Sequence, residues 1–270
     1  MNEVTTFRWS LFDDVSGYHD AGINAIGIWR PKLSEFGEER GIDLVQECGM
    51  SVSSLSWVGG FTGANRQSFD DAIADARDAV RVADQLNADA VAVISGPRAG
   101  HTRNHAKRLL VDALKELSDD ASDAGVYLAV QPMQARFSQD WTFLDSLDEA
   151  LEVLDLCNHP AVRLAFDTYH LWWEANLFER IREVAKRTAI VQLNDWNGPP
   201  RCACDRLLPG DGAIPLAEIM QAFTESGYSG YFEIGVWSEE LWKTDYDMLL
   251  AGCISRYCSL CRQAAPLSTR

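Results

Sequence analysis

Short apolar runs alternate with amphipathic stretches along the whole chain. The apolar runs are rich in β-branched, aromatic or alanine residues and are bounded by polar or glycine-containing segments, a pattern typical of buried strands. Eight of these runs are predicted as strands. They cover residues 6–11, 25–29, 51–57, 90–94, 127–131, 162–167, 190–194 and 230–234.

Between the predicted strands, apolar residues recur every three or four positions, as on one face of an α-helix. Clear examples are Ile73, Ala76, Val80 and Ala83; Ala106, Leu109, Ala113 and Leu117; and Leu216, Ile219 and Phe223. Alternating strands and helices form an open doubly wound sheet or a closed barrel. Eight units in 270 residues favour closure, because barrels of this type have about 250 residues. We therefore predict an α/β protein, a (β/α)8 TIM barrel, with a single domain over residues 1–270.

Charge and composition narrow the choice of partners. The chain has 24 basic and 40 acidic residues, a net charge of −16, and such a surface repels nucleic acid and anionic lipids. The sequence shows no basic and apolar leader and no apolar run of membrane-spanning length. No glycine-rich phosphate loop follows a predicted strand. We expect a cytoplasmic protein without nucleic-acid or membrane partners.

The seven cysteines include two closely spaced pairs, Cys202 with Cys204 and Cys258 with Cys261. The second pair lies on a predicted terminal helix, and neither a histidine nor another cysteine pair accompanies it. Structural zinc sites need four such ligands. Ordinary thiols are therefore preferred over a zinc site.

Four polar side chains stand at the ends of the last four predicted strands. They are Gln131, Asp167, Gln192 and Glu233. The carboxyl ends of the strands of a βα barrel surround one pocket, so we expect these side chains to meet there. Glu233 also lies within an apolar strand, where a carboxylate is costly unless it is paired or bound to a cation. The sequence thus predicts an active site with two carboxylates and two amides.

Asp167 is followed three positions later by His170, and both can face one cavity. The pair can act as metal ligand or base and as acid or hydrogen-bonding partner. Each residue alone also has an ordinary structural explanation, since a strand-end aspartate often caps the next helix and a histidine is often simply a satisfied polar group. The presence of Glu233 two strands away favours the functional interpretation.

Five segments in the second half of the chain resemble one family. They are LAVQPM, FDTYHLWW, VQLNDW, DRLLPGDG and YFEIGVWSEELW. The chain looks like the sugar phosphate isomerase/epimerase group of xylose-isomerase-like TIM barrels. That group includes tagatose-type ketose epimerases, hydroxypyruvate isomerase and inosose dehydratase.

The resemblance implies a divalent metal, Mn, Mg or Co, held by a Glu, an Asp, a His and a Glu. Those places fall on Gln131, Asp167, Gln192 and Glu233, so the first Glu and the His are both replaced by Gln. Because neutral amide oxygens are weaker ligands than carboxylates, we expect weakened metal affinity. A two-base epimerisation also loses one base, since Gln131 cannot ionise.

The resemblance further assigns substrate contacts. His170 matches a substrate-contacting histidine, and Arg206, which precedes the PGDG turn, matches an arginine that clamps the substrate. The other residues predicted to bind substrate lie at the rim. They are His101, Trp57, Trp172 and Trp237. Tryptophans there suit the apolar face of a sugar, although they also pack at a barrel mouth for structural reasons.

Two classes of function follow. The first is an isomerase or epimerase of a keto-sugar or inosose-like polyol, in which Glu233 removes a proton beside a carbonyl, His170 shuttles it, and a weakly held metal stabilises the enediolate. A dehydratase-type lyase is the runner-up within this class. The second is a metal-free, non-catalytic sugar-binding protein or partner subunit. Endonuclease action on abasic DNA is disfavoured by the negative charge. A homo-oligomer is also considered, since barrels of this group associate through their outer helices.

Overall fold

The structure, a computed structural model, describes residues 1–64, 66–137, 140–199 and 201–264. Its centre is one parallel sheet of seven strands in which every strand pairs with the next along the chain. The strands are β1 (Ala25–Trp29), β2 (Ser51–Gly59), β3 (Ala90–Ile94), β4 (Tyr127–Val130), β5 (Val162–Asp167), β6 (Thr188–Leu193) and β7 (Tyr231–Ile234). The predicted TIM barrel is confirmed as a nearly closed barrel of this kind.

The first predicted strand, at residues 6–11, was wrong. A Ser10–Asp13 capping box begins a helix at Leu11, so the apolar run there continues into a helix rather than a strand. Residues 1–5 instead occupy the position in the barrel between β7 and β1. The Asn2 N–H donates to the Ile234 carbonyl at 2.7 Å, and Glu3 N–H donates to the Gly27 carbonyl at 3.0 Å. This short segment takes the place of the eighth strand.

Ten α-helices in the described ranges surround the sheet. They are α1 (Leu11–Asp20), α2 (Arg30–Phe36), α3 (Glu38–Glu47), α4 (Phe69–Gln85), α5 (Arg103–Asp123), α6 (Leu147–Cys157), α7 (Thr168–Leu171), α8 (Leu177–Val184), α9 (Leu216–Glu225) and α10 (Tyr246–Ala264). The three helical faces predicted from spacing fall on α4, α5 and α9. None of the described helices is long and apolar enough to cross a bilayer.

Alternate residues of each strand face opposite sides of the sheet, which produces two apolar regions. Side chains such as Val91, Val93 and Phe166 pack outward against the helices in one large core. The opposite faces point into the barrel, where small residues, Ala90, Ala129 and Ala165, form a narrow interior layer. The polar residues at the strand ends lie along the same interior.

Candidate functional site

Strand register places three of the four predicted polar residues in one row. Asp167 pairs with Gln192 across β5 and β6, and Gln192 pairs with Glu233 across β6 and β7. Gln131 comes one residue after the end of β4. Parallel strands in this register bring all four side chains to the same end of the barrel.

The two glutamines link the two carboxylates through hydrogen bonds. Gln131 Nε2 donates to Asp167 Oδ2 at 3.3 Å and to Gln192 Oε1 at 3.2 Å. Gln192 Nε2 donates to Glu233 Oε1 at 3.2 Å. We call Gln131 and Gln192 the amide chain. Its orientation follows from chemistry, because turning either amide around would set its oxygen against a carboxylate oxygen.

Glu233 is buried and surrounded by donors. Its Oε1 also accepts from Asn2 Nδ2 at 2.9 Å, and its Oε2 accepts from Ser53 Oγ at 2.5 Å and Ser54 Oγ at 2.8 Å. A Cβ atom at Gly27 would lie 2.3 Å from Glu233 Oε2, so only glycine fits beside this carboxylate. Glu233 thus lies in a tight, fully polar setting inside an apolar barrel.

Asp167 forms a buried ion pair with Arg206. Its Oδ2 accepts from an Arg206 terminal nitrogen at 2.9 Å, and its Oδ1 accepts from Tyr169 N at 2.9 Å and Asn194 Nδ2 at 3.1 Å. The Arg206 guanidinium also lies 4.6 Å over the Tyr169 ring. Arg206 is 8% exposed, and its Nε–H has no hydrogen-bond partner in the described part of the chain. Asp167 thus fixes the position of the guanidinium, and the Arg206 Nε–H stays without a partner in the described ranges.

His170 is neutral in this setting. Burial lowers its pKa to about 3, and the positive charge of Arg206 acts in the same direction, whereas Asp167 raises it. The other terminal nitrogen of Arg206 lies 3.1 Å from His170 Nε2. Because arginine can only donate, Nε2 is the acceptor of this contact, and the Gln134 backbone N–H points at Nδ1 from 3.4 Å. His170 therefore positions the guanidinium as an uncharged partner.

A cavity of about 90 Å³ opens beside these groups. Its polar side includes Gln131, Asp167, His170, Gln192 and Arg206. Three tryptophans that contact one another also line the cavity, Trp57, Trp141 and Trp237, which we call the aromatic wall. Their ring centroids are 5.4 to 6.4 Å apart. The cavity is thus lined by charged and polar groups, which we call the polar floor, and by indole rings.

The remaining predicted residues lie away from the cavity surface. Glu233 is not among the lining residues in the described part of the chain, and lies beneath Gln192 and Asn2, both of which do line the cavity. Trp172 packs on Trp196 at 5.1 Å. His101 Nε2 lies 3.2 Å from the Thr62 carbonyl in a surface loop.

Sequence reasoning missed several lining residues. Asn2, Phe137, Trp141 and Cys204 all border the cavity. The position of Trp141, after the fourth strand, was a usable signal, since loops after the strands build the site of a βα barrel. No local sequence signal pointed to Asn2, because Asn2 reaches the cavity only when the N-terminal segment closes the barrel.

A family model for the xylose isomerase-like TIM barrel matches residues 17–251. The chain belongs to this family. The D-psicose 3-epimerase of Enterocloster bolteae is 29% identical to it over 136 residues, 50% of this chain and 38% of that protein. The inosose isomerase of Bacillus subtilis is 27% identical over 141 residues, 51% of this chain and 49% of that protein. The chain therefore covers less than half the length of either relative.

The fold similarity extends over the whole barrel. The crystal structure of the IOLI protein with a binding zinc atom has a TM-score of 0.85, covering 99% of both chains at 20% identity. That likeness shows the shared xylose isomerase-like fold. These two relatives are thus a psicose epimerase and an inosose isomerase, and one structure of the fold holds zinc.

The two carboxylates and two glutamines of this site do not fit a divalent metal. The described residues contain no group of three or more His, Cys, Asp and Glu side chains arranged to hold an ion. Each oxygen of Asp167 and Glu233 already accepts from at least two donors. Divalent ions prefer carboxylate or imidazole ligands with free lone pairs. We derive no chemical step through a metal.

Proposed function

We propose that this protein binds a keto-sugar or an inosose-like polyol in the cavity and acts as an isomerase or epimerase by moving a proton beside the carbonyl. The observation that carries this proposal is the buried Arg206, which lines the cavity and has one buried N–H without a partner in the described part of the chain. An unsatisfied buried donor costs about 1–3 kcal/mol, so a ligand oxygen that accepts from it is favoured. A guanidinium also stabilises negative charge that develops on a carbonyl oxygen.

The aromatic wall supports a carbohydrate ligand. Indole rings offer an apolar surface to the C–H face of a sugar while the polar floor takes its oxygens. The cavity of about 90 Å³ is bordered by both kinds of surface, so a sugar bound in it would contact indole rings and polar groups together.

Access to a base differs between the two carboxylates. Asp167 lines the cavity but is engaged by Arg206. Glu233, the base predicted from the sequence, becomes reachable if Gln192 turns aside, and that movement breaks the two hydrogen bonds of 3.2 Å that Gln192 makes with Glu233 and Gln131. We keep Glu233 as the proposed base and His170 as the residue that positions Arg206 and passes a proton.

The test is proton exchange in D₂O, followed by NMR, over ketoses of increasing length and inososes. An isomerase or epimerase exchanges the C–H beside the carbonyl, whereas a dehydratase-type lyase yields an unsaturated or deoxy product. Arg206→Ala should slow exchange on the order of 100-fold, as loss of a charge-stabilising donor does elsewhere. The matched control is Arg201→Ala, which removes an exposed arginine from the same loop.

Glu233→Gln tests the base separately. The amide keeps the shape but cannot accept a proton, so exchange should stop while saturation-transfer NMR still detects binding. Exchange that persists at the wild-type rate in Glu233→Gln would reject this residue as the base.

The non-catalytic sugar-binding alternative is kept because four donors surround Glu233. A carboxylate so fully hydrogen-bonded is typical of a structural role. Sugars that bind to wild-type protein without any exchange or conversion would favour this alternative and overturn the catalytic proposal.

A further inference from the structure

We infer that the amide chain and Arg206 together take the place of a divalent cation, so that this member of the family works without a metal. The inference concerns the ion itself and does not depend on turnover. It follows from how the two buried carboxylates are compensated in the structure.

Side chains of the protein itself compensate the negative charges of Asp167 and Glu233. Asp167 is neutralised by Arg206 through a contact of 2.9 Å. Glu233 has no cationic side chain among its hydrogen-bond partners in the described ranges; its donors are the neutral groups of Asn2, Ser53, Ser54 and Gln192. A buried carboxylate is tolerated only when it is paired or richly hydrogen-bonded. Both conditions are fulfilled without an ion.

The amide chain also joins the carboxylates directly. Gln131 reaches Asp167 and Gln192, and Gln192 reaches Glu233, so hydrogen bonds run unbroken from one carboxylate to the other. A cation between Asp167 and Glu233 would have to displace these donors. Both amides would then lose the acceptors that fix their orientation.

Arg206 opposes a cation more strongly still. Its guanidinium contacts both Asp167 Oδ2, at 2.9 Å, and His170 Nε2, at 3.1 Å. A divalent ion there would meet a fixed positive charge within a few ångströms, a repulsion that low-dielectric surroundings strengthen. The Nε2 lone pair of His170 already accepts from Arg206 and is therefore not available to coordinate zinc.

The experiment compares the wild-type protein, purified without a histidine tag, with the double variant Gln131→Glu and Gln192→His. This variant adds one carboxylate and one imidazole to Asp167 and Glu233, which completes a set of three carboxylates and one imidazole. Metal content, Co²⁺ absorption and melting temperature in Mn²⁺, Mg²⁺ or Co²⁺ are measured without substrate. The matched control carries Gln46→Glu and Gln263→His, the same changes at exposed positions.

The wild type and the control should contain less than a tenth of an equivalent of metal, and chelation should leave their melting temperature unchanged. The double variant should bind about one ion, show Co²⁺ absorption, and melt at a temperature that rises with metal concentration. If circular dichroism shows that the double variant is unfolded, Gln192→His alone is used. Stoichiometric metal in the wild type, with a melting temperature that falls on chelation, would overturn the inference.

A folded variant that still binds no ion would also overturn it, because the glutamines would then not be what excludes the metal. Since no substrate is present, failure to find a turned-over sugar leaves these results intact. Equally, a metal found in the wild type would leave the proton-exchange test of the proposed function open.

Discussion

Single residues decide the chemistry of this barrel. Glutamine at positions 131 and 192 turns two potential ligands into hydrogen-bond donors, and each donates toward a buried carboxylate. Arg206 adds a fixed positive charge beside Asp167. Gly27 leaves room for Glu233 that no other residue would. The site is therefore defined by a few side chains within an otherwise ordinary scaffold.

At this scale, His170 gives a pH-dependent prediction. Its pKa is lowered to about 3, mainly by burial, whereas a histidine in the unfolded chain titrates near 6.5. The unfolded state therefore binds a proton first as pH falls. The stabilising contribution is complete above about pH 6.5 and is lost toward pH 3, by about 2 kcal/mol between pH 6.5 and 5.

The change to make is His170→Gln, which cannot titrate but still offers an oxygen to Arg206. Urea unfolding at a series of pH values should show a free energy of unfolding that declines less below pH 6.5 in the variant than in the wild type. His19→Gln, at an exposed histidine, is the control. Parallel pH profiles for wild type and His170→Gln would contradict a neutral buried imidazole.

At the scale of elements, the N-terminal segment is the part on which closure of the barrel depends. Residues 1–5 bridge β7 and β1 through backbone hydrogen bonds, with the Asn2 side chain reaching Glu233. Thr5 strengthens this closure, since its hydroxyl accepts from Val236 N at 3.0 Å and donates to the Ile234 carbonyl. One short segment thus links the sheet edges and the site.

Thr5→Val keeps the shape of the side chain and removes the hydroxyl. The buried Val236 N–H is then left without its acceptor, which should lower the free energy of unfolding by about 1–3 kcal/mol. Thr244→Val, at an exposed turn, should change it by less than about 0.5 kcal/mol. Equal denaturation midpoints for the two variants would show that Thr5 does not help to close the barrel.

At the scale of the whole molecule, the outer ring of helices carries ion pairs between neighbours. Arg77 of α4 meets Asp120 of α5 at 2.7 Å, and Lys107 of α5 meets Glu152 of α6 at 2.5 Å. Exposed pairs of this kind contribute about 0–1 kcal/mol each and weaken with salt. The stability of the molecule therefore rests on its apolar core rather than on its surface charges.

The seven cysteine thiols differ in their exposure to solvent. Cys202, Cys258 and Cys261 are exposed, whereas Cys157 and Cys253 are buried. Burial raises the pKa of Cys157 to about 11 and that of Cys253 to about 12. Since the thiolate is the reactive form, alkylation followed by peptide mass spectrometry should label the three exposed thiols first. Early labelling of Cys253 in folded protein would conflict with the packing of α10.

The sequence determined the fold class and which polar residues stand at the strand ends. Periodicity located β1, β3 and β5 at their observed bounds, and the polar residues at strand ends do share one level of the barrel. Such features are local: alternation along a strand and spacing along a helix are encoded in neighbouring residues, and barrel topology then brings the strand ends together.

The tertiary structure alone decided how those side chains satisfy one another. Nothing in the segment around Gln192 reveals that its amide is held between Gln131 and Glu233, or that Asn2 completes the set of donors from the other end of the chain. The first strand was predicted at the wrong residues for the same reason. Residues 1–5 become strand-like only when β7 and β1 provide hydrogen-bond partners. Hydrogen bonds between distant residues depend on relative position in space, which local sequence patterns do not contain.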